Sequence, residues 1–137
     1  MSYLLDTNVV SETRKRQPEP RVVSWLESSG PEAHFVSVLT VGEITKGIAQ
    51  RRRRDREGAD RLARWLRGLR EFFAERILVV GDAEATCWGD LSGHAELPVI
   101  DGLIAATALV HDLTLVTRNT RDFARTGARL LNPWQAE

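Results

Sequence analysis

Residues 2–8 read Ser2-Tyr3-Leu4-Leu5-Asp6-Thr7-Asn8. An apolar run cut off by an aspartate is what a buried strand followed by a helix cap looks like in sequence. The pattern recurs downstream. Phe35 to Ser37 reads as a second strand, Ile77 to Val80 as a third, Leu113 to Val116 as a fourth and Arg129 to Leu131 as a last. Stretches of helical period lie between them. Pro18-Glu19-Pro20 starts a helix that carries Val22, Val23 and Leu26 and stops at Gly30-Pro31. Thr40 to Gln50 is striped by Val41, Ile44 and Ile48. Leu62, Trp65, Leu66, Leu69 and Phe72 or Phe73 fall at steps of three and four, marking an amphipathic helix with its arginines largely on the other side. Asp82 or a neighbour caps a helix through Ala83, Ala85 and Trp88 to Leu91. Val99 and Ile100 lead into Asp101, and Leu103 to Val110 is apolar almost all round, as in a helix buried mid-domain. Thr117 to Asn119 reads as a turn and Thr120 to Ala124 as a short helix.

Short apolar strands alternating with helices predict an α/β chain: a central, mainly parallel sheet of four or five strands covered on both faces, in three α/β/α layers. A length of 137 residues suits one domain spanning 1–137. With 42% hydrophobic and 28% charged residues, composition excludes a disordered or fibrous chain. The opening run lacks a basic flank and ends at Asp6, so neither a signal peptide nor a spanning helix is expected, and the expected location is cytoplasmic. Cys87 stands alone, which rules out an internal disulfide and a thiolate pair for zinc and predicts a small core residue. His34, His94 and His111 have no metal-ligand spacing and are expected to be structural or exposed.

Net charge is zero but unevenly spread. Between Arg51 and Arg70 stand nine arginines against three acids, a local excess of six. Arginine forks match phosphate oxygens, so this stretch suits a polyanion as well as it suits a plain solvated helix face.

Three acids occupy the positions where such a fold places its ligands, outside the carboxyl ends of the strands. Asp6 ends the first strand, Glu43 lies within about the first turn of the helix after the second, and Asp101 starts the buried helix; Asn119 follows the fourth strand. Carboxylates gathered in one cleft repel, and a hard divalent cation removes that cost. Oxygen-only ligands favour Mg²⁺ or Mn²⁺ over zinc, and such an ion suits phosphodiester hydrolysis by an activated water. Taken singly, each residue has a plainer reading. Asp6 and Asp101 suit helix caps, Glu43 the helix dipole, and Asn119 a turn.

Five segments together resemble one family, the PIN-domain ribonucleases, in particular the VapC and FitB toxins of bacterial toxin–antitoxin pairs. They are Leu4 through Glu12, Ser37 through Glu43, Asp101 through Ala108, Thr117 through Phe123, and the tail Asn132-Pro133-Trp134. The resemblance runs nearly end to end. It implies that Asp6, Glu43 and Asp101 surround Mg²⁺ or Mn²⁺ and support cleavage of RNA, with Thr7, Asn8 and Thr117 in supporting positions. Many members carry a fourth acid where this chain has Asn119, and an amide keeps an oxygen but drops a charge. Asp122, three residues on, would substitute for it if the turn is shifted, but in a short helix it is expected to point elsewhere, capping or pairing with Arg118 or Arg121.

The resemblance further implies a cognate antitoxin that wraps the nuclease, often sends an arginine into the acidic site, and binds operator DNA itself. It also implies a homodimer, at whose surfaces or in whose core Trp65 would lie. Because an acid is missing at Asn119, a weakly catalytic subunit that acts chiefly in an antitoxin complex on operator DNA is the alternative. Two other readings fail on residues. A phosphoacceptor receiver domain wants a lysine near the last turn, and the only lysines are Lys15 and Lys46; a dehalogenase-like phosphatase wants an aspartate where Asn8 stands.

Overall fold

The computed structural model describes residues 1–135; the expected domain span of 1–137 ends two residues beyond them. Five strands make one sheet: β1 (Tyr3–Leu5), β2 (His34–Ser37), β3 (Ile77–Leu78), β4 (Thr114–Val116) and β5 (Leu130–Leu131). Their order is β3-β2-β1-β4-β5, and every pairing is parallel. Leu4 stands opposite Phe35 on one side and Leu115 on the other.

Alternation along the strands divides the core in two. Leu5, Val36 and Val116 face a cluster shared with α1 (Thr7–Glu12), α2 (Pro20–Ser29), α3 (Val38–Arg52) and α4 (Arg56–Phe73). Leu4, Phe35 and Leu115 face the opposite cluster, built with α5 (Asp82–Leu91) and α6 (Val99–Val110). The fold is thus the expected three-layer α/β/α arrangement. Leu4, Val36, Leu115 and Val116 are all 0% exposed, and each such side chain stabilises the sheet by roughly 1.5–3 kcal/mol.

Local structure departs from the sequence reading in three places that bear on the site. Helix α3 starts at Val38, ahead of Thr40, because the Ser37 hydroxyl accepts the Leu39 amide at 3.0 Å as its cap. Glu43 therefore lies in the second turn. Helix α6 starts at Val99, not after Asp101, because Pro98 (φ −53°) supplies the entry; Asp101 is thus in the first turn and is not the cap. The short helix expected over Thr120 to Ala124 does not form. Amides there reach back three residues, Asp122 to Asn119 at 3.0 Å and Phe123 to Thr120 at 3.2 Å, and the chain stays a run of turns pinned by the buried Phe123. Among the described residues no helix is long and apolar enough to cross a membrane.

Candidate metal centre

Strands β2 and β3 extend the sheet to one side of β1, whereas β4 and β5 extend it to the other. The strand order therefore reverses between β1 and β4, and at such a switch point the loops leaving the two parallel strands part to open a crevice. Asp6 follows β1 and Thr117 follows β4, so both stand at its mouth.

Asp6 is 6% exposed and is held from three sides. Its amide donates to Val116 O at 2.9 Å, Oδ1 accepts the Thr7 amide at 2.8 Å, and Oδ2 accepts the Thr117 hydroxyl at 2.8 Å. The cap reading of Asp6 is therefore correct as far as it goes, but the second oxygen is bound across the switch point by the loop after β4. Thr117 is itself wholly buried and accepts the Asn119 amide at 3.0 Å. Asn8 spans the same gap: its Nδ2 approaches Thr117 Oγ1 at 3.4 Å, and its Oδ1 accepts the Arg118 amide at 3.3 Å. The polar pair after the first acid thus ties the β1 loop to the β4 loop.

Glu43 reaches the site from α3. Its Oε1 accepts the Thr7 hydroxyl at 2.6 Å, and Thr7 Oγ1 also lies 3.0 Å from Thr40 Oγ1. Because the single proton of Thr7 is committed to Glu43, Thr40 is the donor of the second bond. Thr40 is 0% exposed and was not singled out from sequence. Its signal was available: a hydroxyl three residues before Glu43, hence on the same helix face.

Asp101 comes from the first turn of α6. Gly102 beside it has a reason in packing, since a Cβ there would stand 2.8 Å from Trp88 Cδ1 of α5. Absence of a side chain at this position lets α5 close on the turn that carries Asp101.

Electrostatics join the acids. Burial pushes the Asp6 carboxyl above its ordinary range; bonds from Thr117 and Thr7 oppose this, and the Glu43 charge adds to it. Asp101 is likewise raised, chiefly by burial and then by the charges of Asp6, Glu43 and Asp122. The last of these corrects an expectation. Among the described residues Asp122 makes no ion pair with Arg118 or Arg121; in the absence of the short helix, its charge is felt at Asp101. Asn119 is exposed, and it is its backbone amide, not its side chain, that joins the network through Thr117.

Among the described residues no three His, Cys, Asp or Glu side chains are drawn together closely enough to make a ready cage for an ion. The donor set nevertheless fits one kind of metal. Carboxylates and hydroxyls alone, with two acids raised by burial and mutual repulsion, suit a hard ion that keeps most of its waters and takes one or two carboxylates directly. The other expected bystanders are accounted for. His34 is buried against Trp25 and hydrogen-bonds Ser29 Oγ at 2.7 Å, His111 pairs with Glu84 at 2.8 Å, and Cys87 is half-buried in the second core, where burial raises its thiol.

A five-stranded parallel sheet in this order, covered by helices in three α/β/α layers, is the fold of a PIN domain. The chain belongs to that family, whose pattern matches residues 3–129. Within it the chain is of the VapC/FitB-like kind. It is 37% identical over 138 residues to Toxin FitB of Neisseria gonorrhoeae, covering 96% of this chain and 97% of that protein. It is 31% identical to the VapC ribonuclease Y4jK of Sinorhizobium fredii, again covering 96% and 97%. The crystal structure of FitAcB from Neisseria gonorrhoeae superposes with a TM-score of 0.90 at 36% identity, over 98% of this chain and 99% of that one. Other structural neighbours include a toxin–antitoxin complex and a FitAB assembly bound to a DNA fragment.

Proposed function

We propose that this chain is a metal-dependent endoribonuclease toxin, held in check by a cognate antitoxin. The observation that carries the reading is that acids from three elements meet at one end of the sheet. Thr7 ties the exposed Glu43 to the loop of the buried Asp6 at 2.6 Å, and both Asp6 and the half-buried Asp101 are raised chiefly by burial and then by neighbouring charge, Glu43 at Asp6 and both Asp6 and Glu43 at Asp101. A protein that gathers such charges without an internal cation is built for an external one.

Asp6, Asp101 and Glu43 would hold Mg²⁺ or Mn²⁺. When bound, the ion would lower the pKa of a water and offset charge on the phosphodiester. Thr7 fixes the Glu43 carboxylate and Thr117 fixes that of Asp6, so neither acid must be reoriented when substrate arrives. Asn8 locks the two loops together, and Asn119 offers an amide oxygen at the rim where other members have an acid.

The antitoxin reading rests on the toxin–antitoxin assemblies among the structural neighbours and on an apolar pocket. The pocket holds about 490 Å³ and is lined by Val9, Leu26, Trp65, Leu69 and Phe72, with Phe72 56% exposed. Trp65 also lines a smaller depression that contains Glu43, so a bound segment can run from the apolar pocket toward the acids. Operator DNA would be reached through the antitoxin, and the toxin would pair as a homodimer.

The test is purified, antitoxin-free protein with total RNA. Cleavage with Mg²⁺ or Mn²⁺ that stops on chelation, and is lost in Asp6→Asn and Asp101→Asn, is expected. Cleavage by both variants at the parent rate would refute the assignment. The exposed amide at Asn119 favours one second reading, a weakly catalytic subunit that works mainly in the antitoxin complex. A large gain in metal-dependent cleavage by Asn119→Asp would mark that reading as correct.

A further inference from the structure

The arginines at the turn and along the outer side of the α3–α4 hairpin take no part in the site just described. Its geometry is tightly specified at the turn. Arg51 grips Asp55 with Nε at 3.3 Å and Nη2 at 3.1 Å, Asp55 caps α4 through the Gly58 amide at 2.9 Å, and Arg52 pairs with Asp60 at 2.7 Å. Those two pairs use up two of the hairpin's three acids. Both carboxyls lie below the ordinary range, Asp55 through the Gly58 amide and then Arg51, Asp60 through Arg52. Arg53 and Arg54 in the turn, and Arg56, Arg61, Arg64 and Arg67 on α4, are exposed and make no salt bridge among the described residues.

Arg61, Arg64 and Arg67 follow at steps of three, so their charges are neighbours on one side of the helix and destabilise it. Asp55 and Asp60 feel the charges of Arg61 and Arg64 but are already bound by Arg51 and Arg52, so a ridge that makes no ion pair of its own among the described residues is matched to an external polyanion. Two classes are poor fits. Anionic membrane binding by a helix needs a broad free apolar face, and most of that of α4 is spent in the core, where Leu66, Leu69 and Phe73 are 8%, 8% and 6% exposed; only Phe72 stands well out, beside the apolar pocket. Duplex DNA would gain nothing from the ridge's connection to the acids. That connection is a depression of about 180 Å³ between α1, α3 and α4, lined by Thr7, Ser11, Arg14, Glu43, Leu62 and Trp65. Arg61 lies one turn before Trp65 and next to Leu62 in the chain, so the ridge begins beside the depression, and the exposed Arg14 adds a further cation to the depression's lining.

We infer that the α3–α4 ridge is a second RNA-binding surface, gripping the substrate backbone on one side of the scissile bond while the depression leads the strand to the acids. The inference rests on the ribonuclease reading for its choice of polyanion. A ridge of arginines on backbone phosphates adds affinity without base preference. Discrimination among RNAs would then depend on whether a stem or loop beside the cut can reach the ridge.

The test uses full-length Arg61→Gln/Arg64→Gln/Arg67→Gln, since glutamine has a helix propensity close to that of arginine. Binding to a fluorescent stem-loop RNA is followed in EDTA over a series of salt concentrations. Each lost single-strand phosphate contact lowers the slope of log K against log salt by about 0.7, so three lower it by roughly 2. Between 1 M and 0.1 M salt the parent then gains about 100-fold more affinity than the variant. With Mg²⁺ present the loss falls on KM rather than kcat. An unchanged slope in a folded variant overturns the inference. So does a loss at least as large on duplex DNA or on phosphatidylserine vesicles. Arginine-dependent RNA binding without metal-dependent cleavage would sink the nuclease reading and leave the surface standing; cleavage with unchanged KM and slope would do the reverse. Should the triple variant fail to fold, Arg64→Gln alone must lower the slope by about 0.7.

Discussion

Replacing Asp101 by asparagine should make the metal-free protein more stable while abolishing its cleavage of RNA. Asp101 is held above the usual carboxylate range by burial and by the charges of Asp6, Glu43 and Asp122, with no hydrogen bond to its charged form among the causes. Asparagine keeps the shape and removes the repulsion. Three partly screened like-charge interactions at roughly 0.3 kcal/mol each come to about 1 kcal/mol, a figure already discounted for the group's partial exposure. For a chain of this size that is about 3 to 4 °C in Tm.

The sign with pH follows from the direction of the shift. A carboxyl raised in the folded state binds its proton more tightly there, so the parent loses stability as pH rises from about 4, the unfolded value, through the raised folded one. The advantage of Asp101→Asn should therefore be full at pH 7 and vanish near pH 3. Urea denaturation followed by tryptophan fluorescence in EDTA reads both. Adding Mg²⁺ should stabilise the parent, because a ligand of the native state alone shifts the equilibrium, and should have little effect on the variant. A variant less stable than the parent in EDTA at pH 7, or equally stabilised by Mg²⁺, would refute the reasoning.

Three further substitutions probe the supports of the site. Thr117→Val takes the hydroxyl from the buried Asp6 Oδ2, which should cost about 1–3 kcal/mol and drive the Asp6 carboxyl still higher, read by NMR titration; an Asp6 that titrates lower would count against the network. Thr7→Val leaves Glu43 and the buried Thr40 hydroxyl without their shared partner, whereas Thr7→Ser restores it, so cleavage should fall in the first and return in the second. Gly102→Ala sets a methyl against Trp88 and should cost roughly 1–3 kcal/mol with a changed tryptophan spectrum; parent-like stability and spectrum would show that α5 does not need that contact.

What could be read from sequence, and what could not, separates along physical lines. Strand faces were legible because a period of two and a buried sheet leave little choice: Leu4 and Leu5 had to face opposite layers, and they do. The place of Asp6 was legible because an apolar run cut off by an aspartate marks the end of a strand, and that of Asp101 because it opens a long apolar stretch; their proposed part in holding a metal rests on the logic of open α/β sheets. Helix starts were less so. Nothing in Val38-Leu39 or Val99-Ile100 distinguishes a last strand residue from a first helical one, and the caps at Ser37 and Pro98 decided it. Residues 120–124 hold only two good helix formers, Arg121 and Ala124, and one ring to bury, Phe123, so neither propensity nor packing sustains a helix there. Thr40 escaped because its role depends on Thr7, 33 residues away, the kind of contact a periodicity cannot carry, and the influence of Asp122 on Asp101 hangs on a turn whose course the sequence left open.

Repulsion among the acids also sets how the proposed partners must interact. Any cation entering the crevice relieves the same charges, whether it is a hydrated metal or an arginine offered by an antitoxin segment lying over Trp65. The two must therefore weaken each other's binding by equal factors, since linkage between sites is reciprocal. Much of the antitoxin's hold would come from the apolar pocket, which the metal does not touch, so raising Mg²⁺ should loosen only the cationic end of the complex. Asp101→Asn separates the contributions. With one charge gone, antitoxin affinity should drop by a modest factor and lose its Mg²⁺ dependence, whereas Phe72→Ala should weaken the complex and leave that dependence intact. An affinity for antitoxin that is insensitive to Mg²⁺ in the parent would mean that the inhibitor does not reach the acids at all.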